Sequence, residues 1–182
     1  SHAAAIIYDY SVLAGSQGFF HHQKLDRICE KAEEFSLPVV IFTEGGGGRP
    51  GDTDVTTQIA GLHIPSFSTW ARLTGKCLKI AVNNGYCFAG NAVLFGCSDF
   101  MIATKQSWIG MAGPAMIEGG GLGVYDPKEI GPAEEQYKNG VLDYLAEDEK
   151  EATFIAKKLL SYFQGNLSDW SIDDQTKLRD II

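Results

Sequence analysis

A chain of 182 residues with 45% apolar and 21% charged residues has the size and composition of one folded domain with its own buried core, and excludes a chain dominated by disorder. Fifteen Lys+Arg against 23 Asp+Glu leave a net charge of −8, which excludes a general attraction for phosphate backbones and makes nucleic acid an unexpected partner. Twenty-one residues are glycine, well above the roughly 7% of an average chain, and they fall in clusters.

Residues 3–12 carry Ile6, Ile7, Tyr8, Tyr10 and Val12 and predict a strand. Residues 21–35 predict a helix whose apolar face is Leu25, Ile28, Ala32 and Phe35, opposite Asp26, Glu30 and Glu33. The run PVVIFT over 38–43 is continuous and apolar, as expected of a strand buried on both faces of a parallel sheet. A glycine loop over 44–52 follows at once. Residues 77–83 predict another buried strand, 85–90 a turn, 92–96 a short helix and 100–103 a further strand. Residues 148–163 predict a helix with Ala152, Ile155, Leu159, Leu160 and Phe163 as its apolar stripe, and 173–182 a last helix with Leu178 and Ile181 inward. Strand–loop–helix repetition predicts an α/β fold with a mostly parallel sheet flanked by helices, in one domain over 1–182. Ligands of such sheets bind beyond the carboxyl ends of the strands. Two glycine clusters fall there.

Cys29, Cys77, Cys87 and Cys97 form no C-x-x-C pair, and neither His21, His22 nor His63 stands near a cysteine pair, so packed, reduced thiols are expected and no metal site. The apolar runs are too short to span a bilayer, and no secretory signal opens the chain. Ser1-His2-Ala3 reads as a cloning remnant, and the helical pattern still running at Ile182 reads as a cut from a longer chain. Cytosol is the expected compartment, with the mitochondrial matrix its eukaryotic counterpart.

The first cluster, VVIFTEGGGGRPGDTD, lacks the Lys-Ser or Lys-Thr pair of a nucleotide phosphate loop, and Pro50 stands where a dinucleotide-binding helix would begin. A flexible surface loop and a cradle of backbone donors for a carbonyl or anion both remain. In the second, NNGYCFAGNAVLFGCSDF, Ala89-Gly90-Asn91 lies where a loop enters a helix, so successive N–H groups lack intrahelical partners. Two such amides aimed at one point make an oxyanion hole; a small-residue helix start chosen for close packing explains the same residues. In the third, IGMAGPAMIEGGGLG, Gly113-Pro114 suits a helix start, and Glu118 is a carboxylate base or a solvated carboxylate. Ser16, Ser98, Ser107 and Cys87 lack the context of an activated nucleophile. Many backbone donors with few acids and bases suit chemistry in which substrate or cofactor moves the protons.

The segments SVLAGSQG, EGGGGRPGDTD, CFAGNAVLFGCSDF, IGMAGPAMIEGGGLG, IGPAEEQYKNGVLDYL and LLSYFQG, in this order, resemble the carboxyltransferase component of biotin-dependent acyl-CoA carboxylases, within the Clp protease/crotonase superfamily. The resemblance covers nearly the whole chain and matches the N-terminal, acyl-CoA-receiving half of that component. The C-terminal half, which receives carboxybiotin, and the zinc ribbon of some bacterial β subunits have no counterpart in it. It implies a crotonase-like fold of repeated ββα units. It also implies a reaction in which carboxybiotin on a partner carrier domain releases CO₂, the ureido nitrogen takes the α-proton of the acyl-CoA, and the enolate attacks CO₂. Partners would be the C-terminal half, the biotin carboxyl carrier, biotin carboxylase and further copies of the same chain. Carried over residue by residue, Gly90 and Asn91 would present the enolate-stabilising amides. Gly46, Gly47 and Ala89 would shape the acyl-CoA pocket, and Gly113 and Pro114 would begin the helix beside the acyl end. Many members have glycine where this chain has Asn91, whose side chain is expected to narrow the pocket; Ala14 likewise replaces a glycine.

Two other readings stand beside this one. A self-sufficient crotonase-like hydratase or decarboxylase would need a carboxylate aimed at the substrate carbons, for which Glu118 is the candidate. A non-catalytic CoA-binding or assembly module would need only the backbone donors.

Overall fold

The computed structural model describes residues 2–49, 64–165, 171–172 and 174–180. Five parallel strands form the main sheet in the order β1 (Ala4–Ile7), β2 (Val39–Phe42), β3 (Lys79–Asn83), β5 (Phe100–Thr104) and β7 (Tyr144–Ala146). A second, two-stranded parallel sheet pairs β4 (Tyr86–Phe88) with β6 (Trp108–Gly110). A bridge between Gly45 and Cys87 joins the two sheets. The helices are α1 (Phe19–Phe35), α2 (Ser66–Arg72), α3 (Gly90–Gly96), α4 (Pro114–Gly119), α5 (Ala133–Lys138) and α6 (Glu149–Ser161). The runs β3–β4–α3 and β5–β6–α4 are the expected ββα units.

Strand alternation divides the core between two faces. Val39, Ile41, Ala81 and Ala103 pack with Leu25, Cys29 and Ala32 of α1 and with Leu94 and Phe95 of α3. Val40, Ile80, Val82 and Ile102 turn the other way, onto Ala152, Ala156 and Leu159 of α6. Burial on both faces explains why these strands read as unbroken apolar runs. Lys79, fully buried at the start of β3, is satisfied there: its Nζ donates to Thr74 Oγ1 (2.8 Å) and the Cys97 carbonyl (2.6 Å) and lies over the Trp70 ring. Burial pulls its ammonium below the usual lysine range, against the pull of Asp99.

Several expectations are corrected. The first strand stops at Ile7, because Asp9 accepts from both the N–H and the hydroxyl of Ser11 and so turns the chain, and because Leu13 and Ala14 adopt positive φ. On α1 the buried stripe is Leu25, Cys29, Ala32; Ile28 and Phe35 are exposed. The stripe starts at Leu25 as expected but takes an i,i+4 step to Cys29 in place of the expected i,i+3 step to Ile28, and ends at Ala32. Residues 86–88, expected as a turn, are β4, and α3 begins at Gly90 rather than at residue 92. The strand β6, the short strand β7 and the helices α2 and α5 were without a sequence signal. Phe163 lies beyond the end of α6, half-exposed and edge-on to Phe100. Residues 175–180 form a 3₁₀ helix; the inward positions expected at Leu178 and Ile181 lie outside the described side chains. Three cysteines are buried and free, but Cys97 is exposed.

Candidate active site at the carboxyl ends of the strands

Three strand-end loops meet here. Gly46 donates to the Ala14 carbonyl (2.9 Å), Gly45 to Tyr86 (2.7 Å), and Gln17 to the Gly47 carbonyl (2.7 Å). Arg49 N–H returns to the Gln17 carbonyl at 3.0 Å. A Cβ on Gly47, whose φ is +89°, would stand 2.6 Å from the Ala89 Cβ and 3.4 Å from the Gly90 nitrogen. Glycine is needed here both for the backbone conformation and for the close approach. The donors of the expected cradle are thus mostly spent on neighbouring segments: Ala14, Gln17, Tyr86 and the Asn91 side chain. Of the amides from Gly45 to Arg49, only that of Gly48 has no acceptor among the described residues, and Gly48 is exposed. Sequence reasoning missed Gly48, since nothing in a run of four glycines tells which amide stays free. Residues 50–52 of the expected loop, and His63, lie outside the described residues.

Ala89 donates to the Gly110 carbonyl (3.0 Å) and takes φ +50°, ψ −120°, which swings the chain from β4 into α3. Its carbonyl accepts from Val93 N–H (3.0 Å), the first bond of the helix. The N–H groups of Gly90 and Asn91 therefore find no acceptor among the described residues. The expected pair is nevertheless divided. Gly90 is half-buried and accessible, whereas Asn91 is enclosed at 0% exposure. Nor does the Asn91 side chain narrow a pocket, as expected. It turns into the glycine loop, its Oδ1 accepting from Gly47 N–H (3.1 Å) and its Nδ2 donating to the carbonyls of Thr43 (3.2 Å) and Gly15 (3.4 Å). Behind Gly90 stands buried Gln17, which donates weakly to the Tyr8 hydroxyl at 3.4 Å. Burial pushes the Tyr8 phenol up to about 12, against the lowering effect of that bond.

Gly113 and Pro114 begin α4 as expected, Gly113 in extended conformation and Pro114 in the first helical position. A Cβ on Gly113 would touch the Phe88 ring at 3.4 Å, so α4 leans on the residue that precedes Ala89. Met111, Met116, Leu122 and Val124, on α4 and the loops flanking it, are 67%, 67%, 73% and 78% exposed. All four lie in the segment over 111–124 that follows β6.

Among the described residues, acid–base groups near the amides are sparse. Glu118 is exposed on α4 rather than in a loop, and its carboxylate makes no hydrogen bond among the described residues. Glu44, a half-buried carboxylate that sequence reasoning passed over, accepts from Asn84 N–H (2.6 Å). Strand parity turns it toward α6, away from α3. Ser16, Ser98 and Ser107 spend their hydroxyl protons on the carbonyls of Leu13, Leu94 and Asn83. The Cys87 thiol is pushed up to about 12 by burial. A Ser–His contact, Ser66 Oγ to His22 Nδ1 at 3.0 Å, involves a serine with no exposure. None of these is an activated nucleophile.

Residues 2–177 match the family model of the carboxyl transferase domain. The chain belongs to the carboxyl transferase domain family. This carboxyl transferase domain is 30% identical to the methylmalonyl-CoA carboxyltransferase 12S subunit of Propionibacterium freudenreichii subsp. shermanii, over 100% of its own length and 35% of that subunit's. It is 31% identical to the chloroplastic acetyl-coenzyme A carboxylase carboxyl transferase subunit beta of Angiopteris lygodiifolia, over 76% of this chain and 44% of that one. Among solved structures, a single-chain, multi-domain long-chain acyl-CoA carboxylase superposes at TM-score 0.85 with 52% identity, over 97% of this chain and 17% of that one. The hexameric transcarboxylase 12S structure superposes at TM-score 0.77 with 28% identity, covering 96% of this chain and 35% of that one. The carboxyl transferase domain thus has a crotonase-like fold, and spans about a third of the length of the 12S subunit, 35%.

Proposed function

We propose that this domain is the acyl-CoA half of the carboxyltransferase site in a biotin-dependent acyl-CoA carboxylase, and that the half-buried Gly90 N–H donates to the thioester oxygen. The observation that carries the reading is the start of α3: Ala89 swings the chain so that the Gly90 amide finds no acceptor among the described residues, at the point where Gly47 of the glycine loop comes closest to it. As the α-proton leaves the acyl-CoA, charge moves onto the thioester oxygen. Preorganised N–H donors stabilise that charge without reorganising at the moment of reaction. Gly47 supports this by its lack of a side chain, which keeps the two amide-bearing segments in contact. Carboxybiotin, brought by a partner carrier domain, would supply the CO₂ and a ureido nitrogen able to take the proton, which fits a half-site whose described residues are rich in backbone donors and poor in aligned acid–base pairs. A hydratase would need a carboxylate over the substrate carbons; Glu44 faces α6 and Glu118 lies exposed on α4.

A long-chain acyl-CoA is the substrate class best supported. The 52% identical neighbour is a long-chain acyl-CoA carboxylase, and the exposed side chains of Met111, Met116, Leu122 and Val124, in the segment that follows β6, would offer an alkyl chain apolar contacts. The test is bicarbonate fixation by the full-length protein with its biotin-bearing partner, supplied with acetyl-, propionyl- and palmitoyl-CoA. Palmitoyl-CoA should give the highest kcat/KM. Hydration of an enoyl-CoA without biotin, in place of carboxylation, would overturn the assignment.

A further inference from the structure

We infer that the Asn91 side chain is a positioning residue that fixes where the Gly90 N–H points. The inference rests on the role assigned above to the Gly90 amide. An asparagine amide offers one acceptor and two donors in a single rigid plane. Here each is used on a different partner: Oδ1 by Gly47 N–H, Nδ2 by the Thr43 and Gly15 carbonyls. Those partners belong to the loop that follows β2, the last residue before that loop, and the turn that follows β1. Asn91 is itself the second residue of α3, peptide-bonded to Gly90. One side chain thus ties the amide-bearing helix start to the ends of two neighbouring strands, at 0% exposure. The space is dedicated to it, because any Cβ on Gly45 would overlap the Asn91 Nδ2.

The consequence is mechanical. The bonds to Gly47 and Thr43, 3.1 and 3.2 Å, lie at the long end of the N–H···O range and the one to Gly15, 3.4 Å, is weaker, so sliding α3 away from the glycine loop would break them. Where the residue is glycine, nothing but backbone packing would hold that register. Asn91 therefore acts through Gly90, and touches no substrate itself. A misplacement of about 1 Å in such a site costs on the order of 10²-fold in rate.

The experiment uses the full-length protein with its biotin-bearing partner and compares wild type with Asn91→Ala and Asn91→Asp. Two quantities are read: kcat and KM for palmitoyl-CoA, and the affinity for an acyl-CoA analogue bearing a nitronate in place of the enolate, relative to the parent acyl-CoA. Asn91→Ala should lower kcat by about 10- to 100-fold while KM changes little, and should erase most of the preference for the nitronate. Asn91→Asp keeps the acceptor for Gly47 N–H but sets a carboxylate oxygen against two carbonyls. Its turnover relative to Asn91→Ala should rise as pH falls, since a protonated carboxyl regains a donor. An Asn91→Ala protein that melts earlier yet keeps wild-type kcat and nitronate preference would assign the side chain to stability alone and overturn the inference; so would an Asp variant insensitive to pH. Wild-type protein with no nitronate preference is a different result: it would remove the oxyanion role of Gly90 and not merely that of Asn91.

Discussion

Replacing Gly90 tests both the packing and the chemistry, provided that the two are separated. A Cβ at Gly90 would overlap Gln17 Oε1 and stand 3.1 Å from Gln17 Cδ and Phe67 Cζ. Gln17 is 3% exposed and its backbone is held by Gly47 and Arg49, so it has little room to retreat. Overpacking of this kind costs about 1–3 kcal/mol. At roughly 2–4 °C per kcal/mol for a chain of this size, Gly90→Ala should lower the unfolding midpoint by about 2–12 °C. Proline at this position carries the same collision, so Gly90→Pro alone mixes a lost amide with a strained fold. Gln17→Ala makes room, at the cost of the long bond to Tyr8 and a small cavity, about 1 kcal/mol. Combined with Gly90→Ala it should therefore cost less than the sum of the two, with a coupling of about 0.5–3 kcal/mol. On that background, Gly90→Ala keeps the N–H and Gly90→Pro removes it. The proline double variant should be slower in kcat/KM by about 10²–10³, equivalent to about 2.7–4 kcal/mol for one oxyanion donor. Thermal unfolding of the chain and bicarbonate fixation by the full-length protein are the two measurements. Equal turnover of the two double variants would refute the assignment of the Gly90 amide, whatever their stabilities.

The Glu44 carboxyl should impose a pH dependence on stability. Burial raises its pKa above the ordinary value of 4.5, with a further push from Glu149, and the bonds from its own and the Asn84 backbone N–H only partly oppose this. A raised folded-state value means that the native state holds more protons than the unfolded one between the two, so stability falls as pH rises through that window. Glu44→Gln, which keeps the acceptor for Asn84, should flatten this part of the stability profile and leave the protein more stable above it; urea unfolding of both proteins across pH shows which. For the cysteines, burial pushes the thiols of Cys29 and Cys87 up to about 12 and raises that of Cys77, while Cys97 is exposed. Iodoacetamide should alkylate Cys97 in the native chain and the other three only on unfolding, read by peptide mass spectrometry. Rapid native labelling of Cys87 would contradict the sealed junction between the two sheets.

The chain's own pattern determined the central strands and the two long helices, because residues buried on both faces must be apolar whatever surrounds them, and because a 3.6-residue stripe of apolar positions needs no tertiary context to be seen. It likewise placed the ligand side of the sheet, since glycine clusters directly follow 38–43 and 77–83, and it marked Gly113-Pro114 as a helix start. Short elements were another matter. Tyr86–Phe88 and Trp108–Gly110 are strands only because they find each other, and three residues carry too little periodicity to reveal that. The division of labour at the site was settled in three dimensions as well. In sequence, Gly90 and Asn91 are equivalent amides at a helix entrance, and Gly45 to Gly48 are equivalent glycines. Folding spends some of these donors on carbonyls of distant segments, encloses the Asn91 backbone, and leaves the amides of Gly90 and Gly48 at the surface. Which hydrogen-bonding groups remain unspent depends on long-range partners, and no local pattern encodes those.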